Sequence, residues 1–421
     1  MQKILLIVFL FINSLVYSQS GWVAQTIGNK NYVDLNFINS TTGFIIRKDS
    51  VILKTINSGN NWITINTGIS SQSSSIGSGF FTSENLAALG ALDVVYRTTN
   101  GGQSWNFGST PGLGLRGISM SIFINQMAGY SCGSDFYPFP TPCCNDGVLW
   151  KTTNGGTNYF EVLRVGASDF TELKYISEDS ISVLGNTSIY YTYNGGANWI
   201  EKSFFMNPFI NGGSFTNPFK DTIFIAGDLG GVLRSTNKGS NWSMLLSRIE
   251  TGNLNKISFI NSRTGFAIGD NGKILYTSNA GINWLTQNSQ TTQNLNSIWF
   301  INKDTGFVVG DSGTVLKTIT AGLTNINPVS NVIPNEFNLY QNYPNPFNPL
   351  TNIRFKIAKA GFTTLKIYEI SGKEVELLVN ENLGKGEYEV SWNAEKYTSG
   401  IYFYALQNRS LKHTKKMILV K

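Results

Sequence analysis

RSTNKGSNW (234–242) and YTSNAGINW (276–284) are two copies of one unit: a Thr or Ser, an Asn two residues on, a Gly two further, and an aromatic three beyond that. The same unit reads KTINSGNNW up to Trp62, RTTNGGQSW up to Trp105, KTTNGGTNY up to Tyr159 and YTYNGGANW up to Trp199. A worn copy, KTITAGLTN, ends at Asn325, and an aromatic without the motif, Trp22, stands near the start. From Trp22 the steps between these positions are 40, 43, 54, 40, 43, 42 and 41 residues. A period of about 40–45 residues is one four-stranded propeller blade, so seven steps predict seven blades. The copy that lost its aromatic comes last and the aromatic that lost its motif comes first. The segment at Trp22 is therefore expected to supply the outer strand of the final blade, closing the ring without a free edge.

The clearest copy lays out a blade. KISFI (256–260) is the inner strand A, GFAIG (265–269) strand B, KILYTS (273–278) strand C and INWLTQ (282–287) strand D, with turns NSRT, DNG and NAG between them. Apolar residues alternate with small or polar ones, as half-buried strands require. In the third turn the Asn oxygen and the Thr hydroxyl can accept backbone N–H groups, and Gly supplies positive φ. Trp22, Trp62, Trp105, Tyr159, Trp199, Trp242 and Trp284 are expected to pack between blades, a structural rather than chemical role.

Composition agrees with an all-β chain. Gly is high at 43 of 421 residues and Pro low at 11, while aromatics reach 13% and charged residues only 14%. The formal charge of +6 is uneven: residues 332–421 hold 12 Lys+Arg against 8 Asp+Glu, and the body of the chain is near neutral. No run of Lys and Arg with interleaved aromatics is present, which argues against nucleic-acid binding. The start, Met1-Gln-Lys followed by ILLIVFLFI and NSLVYS, reads as a signal peptide (1–18) cleaved between Ser18 and Gln19. The apolar run is short for a membrane span and no second one follows, so the mature chain is expected to carry no integral span.

The repeat resembles the Asp box, in which Ser/Thr, Asp, Gly and Trp hold these offsets; here Asn stands in place of Asp. Asp boxes occur in sialidases and in non-enzymatic propellers. The TNGGxxW variant looks most like the photosystem II stability/assembly factor group. This resemblance covers about 19–325 and implies a seven-bladed β-propeller used as a generic scaffold. The last residues resemble the type A C-terminal sorting domain of the type IX secretion system: PNEFNLYQNYPNPFNPLTNIRFKI, LKIYEISGKEV, GEYEVSWNAEKYTSGIYFYAL and KHTKKMILVK stand in the family's order. The resemblance implies a small Ig-like β-sandwich (336–421), after a linker at 326–335, that engages the type IX machinery. It implies secretion or attachment at the outer surface of a Gram-negative bacterium. Short alternating strands with Gly-containing turns independently predict a sandwich there.

Chemistry finds little purchase. The single His, His413, lies in the tail domain, which excludes a His-based triad or metal site in the propeller. A sialidase-like reaction would need a cluster of arginines, a Tyr nucleophile and acids; the propeller's arginines are 47, 97, 116, 164, 234, 248 and 263, and Arg97 and Arg234 sit on strands before the motif. No cofactor or metal is expected. Cys132, Cys143 and Cys144 share the enlarged 54-residue step, where an oxidising location would favour a bridge from Cys132 to Cys143 or Cys144. A zinc site there would want a further ligand such as Asp135 or Asp146.

The insertion CGSDFYPFPTPCCNDG (132–147) is the leading functional candidate. It is a B–C loop, and B–C and D–A loops share one face of a propeller. Phe136, Tyr137 and Phe139 stand beside prolines there, and the D–A stretch with Phe204, Phe205, Phe209, Phe215 and Phe219 is expected to open on the same face. The function predicted is a secreted or surface-displayed scaffold binding a protein or glycan through that face. The alternatives are a sialidase-like hydrolase and a non-enzymatic assembly factor for an envelope complex.

Overall fold

The computed structural model describes residues 21–69, 75–111, 115–136, 145–177, 179–204, 214–216, 221–246, 252–322, 326–330, 334–395 and 397–421. The expected signal peptide, with Ser18 and Gln19, lies outside the described residues. Two compact units emerge, Gly21–Gly322 and the segment from Leu323 onward.

The first unit is seven four-stranded antiparallel sheets, each in simple A-B-C-D order. Blade 6 shows the plan: Leu254–Phe259, Gly265–Gly269, Ile274–Thr277 and Leu285–Gln287, within a few residues of the expected strands. Blade 7 takes its outer strand from the chain start: Gly21–Ala24 pairs antiparallel with Val315–Gly322. Trp22 is wholly buried, donates from Nε1 to Gln287 Oε1 at 2.7 Å, and meets Phe266 and Phe300 edge-on. The unmatched aromatic thus completes the blade whose own motif lost one.

The repeated turn works by the same bonds in each intact copy. In blade 6, Thr277 Oγ1 donates to Asn279 Oδ1 at 3.0 Å and accepts from Gly281 N–H at 2.9 Å, while Asn279 Oδ1 accepts from Asn283 N–H at 2.9 Å. In the worn copy Thr318 Oγ1 still accepts from Gly322 N–H at 2.7 Å, but Thr320 holds the Asn position. The residue before each turn Gly adopts left-handed φ, including Ser58, Lys238, Ala280 and Ala321, and its N–H bonds an A–B turn carbonyl of the same blade, as Ala280 does to Arg263 at 2.8 Å. Gly281 could not be replaced freely: its φ is +79° and a Cβ there would stand 2.6 Å from Leu245.

Strand A is innermost, and one position on it repeats around the ring centre: Asp34, Ser78, Met120, Glu172, Ser214, Lys256 and Ser297, each paired to the corresponding strand B residue. Glu172 of blade 4 is buried and accepts Lys256 Nζ of blade 6 at 2.8 Å, Lys174 Nζ at 2.6 Å and Phe215 N–H of blade 5 at 2.9 Å. Burial alone would raise the Glu172 carboxyl, but the attraction of both lysines overrides it and holds the group at about 2. Burial pulls Lys174 below the usual lysine range against Glu172. At Lys256 burial is outweighed by Glu172 and Asp34, and the ammonium is raised. Asp34 Oδ1 accepts from Ser297 Oγ and Leu35 N–H, both at 2.9 Å.

The second unit is two four-stranded antiparallel sheets around one core of Phe355, Ile367, Trp392, Tyr404 and their neighbours. Ile326–Ser330, expected within a linker, forms a strand pairing with Gly386–Asn393. The YPNPF segment is packed rather than extended away: Phe347 is buried and exchanges backbone bonds with Ile418 and Val420 at 3.0 Å each.

Two outcomes are expected. Thr277→Val should lower stability by about 2–3 kcal/mol, since a buried acceptor of backbone N–H groups is lost, whereas Asn279→Asp, which keeps an acceptor at the same place, should change it by under ~1 kcal/mol; urea unfolding midpoints compare the two. Glu172 is depressed from its ordinary 4.5 to about 2, so its contribution is present above 4.5 and is lost as pH falls toward 2. Glu172→Gln should therefore be the less stable chain at neutral pH and should show a flatter loss of stability between these values, measured by thermal melts across that range.

Candidate functional site

Blade 3 is where the repeat departs from its period. Strand B, Gly129–Phe136, and strand C, Asp146–Thr152, pair up to Asp135 and Asp146, and nine residues (137–145) lie between them. Blades 5, 6 and 7 join B to C by five, four and four residues, each connection built on one tight turn, Asp228–Gly230, Asp270–Gly272 and Asp311–Gly313. Each of these short turns is latched to the next blade: Leu229 N–H to Asn253 Oδ1 at 3.0 Å, Asn271 N–H to Asn294 Oδ1 at 3.2 Å, and Ser312 N–H to Asn31 Oδ1 at 3.0 Å.

The strand ends that flank the insertion are clamped. Arg164 on strand D, Phe160–Val165, donates to Asp135 Oδ2 and Asp146 Oδ2 at 3.0 Å each and to Glu161 Oε2 at 2.7 Å. Glu161 does most to raise the guanidinium above its ordinary value, Asp146 and Asp135 adding to it against burial. The opposite face of the same strand ends is tied to blade 4: Ser134 Oγ and Asn145 Nδ2 donate to Asp169 Oδ1 at 2.5 and 2.9 Å, and Asn186 Nδ2 reaches Asp169 Oδ2 at 3.4 Å. Asp135 and Asp146, weighed above as zinc ligands, are thus engaged by Arg164. Among the described residues no group of three His, Cys, Asp or Glu is arranged to hold a metal ion.

Phe136 ends strand B opposite Leu115; Tyr137 and Phe139 lie outside the described residues. Among the described residues Cys132 is a free thiol, wholly buried with Ile122, Leu149 and Phe170, and burial pushes it far above the usual thiol range. Its expected partners Cys143 and Cys144 lie outside the described residues. Two aromatics expected on the open face are core instead: Phe204 and Phe215 are buried with Leu184, Ile225 and Trp242, because the strands they border turn them between blades 4 and 5. Phe205, Phe209 and Phe219 lie outside the described residues.

Among the described residues the arginines do not form a carboxylate clamp. Arg47 bonds Asp49, Arg97 donates to Gln126 O of the next blade and stands 5.1 Å over the Phe123 ring, and Arg234 donates to Ala280 O of the next blade at 3.0 Å. Lysines at the same place do likewise. Lys151 reaches Gly195 O at 3.4 Å, and Lys317 reaches Ser58 O at 2.9 Å, joining blade 7 to blade 1. The residue before the motif Thr is thus a blade-to-blade latch, a role that sequence reasoning did not assign.

On the opposite face, where A–B and C–D turns gather, a cavity of about 450 Å³ opens between blades 5 and 6. Phe224, Ile257 and Phe259 form its apolar wall, Ser258, Ser262 and Thr222 bring hydroxyls, and Lys174 reaches it from blade 4. Phe224 and Phe259 stack with centroids 3.9 Å apart. No motif marks this cavity; its sequence trace is the charge at Glu172, Lys174 and Lys256, at inner-strand positions that blades 2, 3, 5 and 7 leave uncharged.

Residues 145–319 match the family model described as photosynthesis system II assembly factor YCF48, and residues 341–421 match that of the secretion system C-terminal sorting domain. No match is found among curated protein sequences. Among solved structures the chain is similar to YCF48 bound to D1 peptide, at 17% identity and TM-score 0.57, covering 72% of this chain and 98% of that one. It is similar to YCF48 from Cyanidioschyzon merolae at 15% identity and TM-score 0.55, covering 70% and 98%. A third is the WD40 β-propeller domain of Doa1, at 10% identity and TM-score 0.52, covering 72% and 97%. These three show the fold. The chain is a β-propeller with YCF48-like assembly-factor repeats over 145–319, carrying a type IX C-terminal sorting domain over 341–421 that marks it for secretion or attachment at a bacterial cell surface.

Proposed function

We propose that this is a non-enzymatic binding propeller, carried out of the cell by its sorting domain, which captures a protein partner through the B–C/D–A face of blade 3. The observation that carries this reading is the insertion at 137–145, rooted on Arg164 and Asp169 in an otherwise regular ring. Binding residues concentrate on loops held by rigid scaffolds. Phe136, Tyr137 and Phe139 supply aromatic anchors of the kind that dominate protein recognition. A protein ligand is favoured over a glycan because the structurally similar YCF48 is solved with a peptide, D1, bound. Hydrolysis is disfavoured by the dispersal of Arg47, Arg97, Arg164 and Arg234 into ties within and between blades.

Two measurements test the reading. Replacing Phe136, Tyr137 and Phe139 together with Ser should abolish capture of the partner by immobilised protein while leaving the melting midpoint nearly unchanged; a steep fall in the midpoint would make these residues core and overturn the assignment. Removing residues 323–421 should leave the propeller inside the cell envelope, read by fractionation and immunoblot, with unchanged export counting against the sorting role.

A further inference from the structure

The cavity between blades 5 and 6 lies on the face opposite the insertion and calls for its own occupant. Its volume of about 450 Å³ falls within the range of roughly 300–1,000 Å³ typical of small-molecule sites. Among the described residues Lys174 is the one cation that lines it. An ammonium carries three donors, and among the described residues Lys174 makes one hydrogen bond, to Glu172 Oε1 at 2.6 Å. Glu172 does not depend on that bond alone, since it also accepts Lys256 Nζ at 2.8 Å and Phe215 N–H at 2.9 Å. Lys174 can therefore turn toward a guest without leaving a buried carboxylate unpaired. The other acid of the ring centre, Asp34, does not line the cavity and is engaged by Ser297 and Leu35. Asp221 stands at the exposed edge, 3.5 Å from Lys238.

We infer that this cavity binds a small monocarboxylate with an apolar body, its carboxylate on Lys174 Nζ and its body against Phe224, Ile257 and Phe259. A single ammonium with Glu172 directly behind it suits one negative charge. A phosphate dianion would meet that carboxylate, and among the described residues no arginine fork lines the cavity to offset the repulsion. The side chains of Ser258, Ser262 and Thr222 make no hydrogen bond among the described residues, leaving hydroxyls for an amide or hydroxyl on the guest. The site is independent of the insertion face, so it stands or falls separately from the protein-capture reading.

The test is calorimetric titration of the full chain with N-acetyl-phenylalanine and, separately, with its uncharged amide. The acid should bind and the amide should bind ~10-fold or more weakly, the effect of losing a charged hydrogen bond. Lys174→Met should remove the discrimination, and Ser258→Trp, which fills the cavity, should remove binding of both. The Phe136/Tyr137/Phe139→Ser variant should keep it. Equal binding of acid and amide, no binding of the acid, or acid preference surviving in Lys174→Met would overturn the inference. Should Lys174→Met fail to fold, the acid-to-amide comparison and the Ser258→Trp variant still decide it.

Discussion

Closure of the ring is the constraint on which everything else depends. Seven sheets arranged radially bury their faces only if the last packs on the first, and the last has just three strands of its own. Gly21–Ala24 supplies the fourth, and its seat is tight: a Cβ at Gly21 would stand 2.3 Å from the Gly322 backbone. Trp22, buried edge-on against the stacked Phe266 and Phe300, fixes that strand by apolar area as well as by backbone bonds. The latches then carry closure around the rim. Lys317 joins blade 7 to the turn of blade 1 on one face and Ser312 joins it to Asn31 on the other, so the seam is bonded at both ends and along its strand. A propeller held in this way can accept an irregular loop at one blade without loss of register in the rest.

The ring centre shows a different balance. Shrinking toward the axis, the inner strands bring residues from non-adjacent blades into contact, and the Glu172–Lys256 pair spans from blade 4 to blade 6. A buried ion pair is weak evidence of stabilisation, because desolvating both charges costs much of what their attraction returns. What the pair does here is specify: Glu172 takes donors from three blades, 4, 5 and 6, and so sets their mutual position. The same arrangement leaves Lys174 with donors to spare beside an apolar cavity, so the charge that orders the centre also gives the adjacent face its chemical character.

The fold was legible because a repeat multiplies a weak signal. One Thr-x-Asn-x-Gly turn is a common accident; six at nearly constant spacing determine blade number, strand order and the closing strand, and the structure places strand B of blade 6 at Gly265–Gly269 as expected. Legibility failed where identity depends on neighbours distant in sequence. Phe204 and Phe215 border a long D–A stretch and looked like loop aromatics, yet both enter the core between blades 4 and 5. Arg97 and Arg234 looked like strand-face residues, and their bonds reach the next blade's turns. Ile326–Ser330 looked like linker because its pairing partner, Gly386–Asn393, lies some sixty residues away.

Repetition also explains where function can reside. A residue repeated from blade to blade has the same job in each, which for Thr277, Asn279 and Gly281 and their equivalents is to hold the C–D turn together. Distinct chemistry requires a break in the pattern, and the described residues show two. One is in length, at the root held by Arg164 and Asp169; the other is in charge, at Glu172, Lys174 and Lys256, at inner-strand positions that blades 2, 3, 5 and 7 leave uncharged. They fall on opposite faces because the first is a B–C connection and the second adjoins A–B turns. Chain length in a repeat changes most freely at loops, and charge is most consequential where the strands converge. A propeller therefore acquires its rim and axial sites by separate routes, and each can change without disturbing the other.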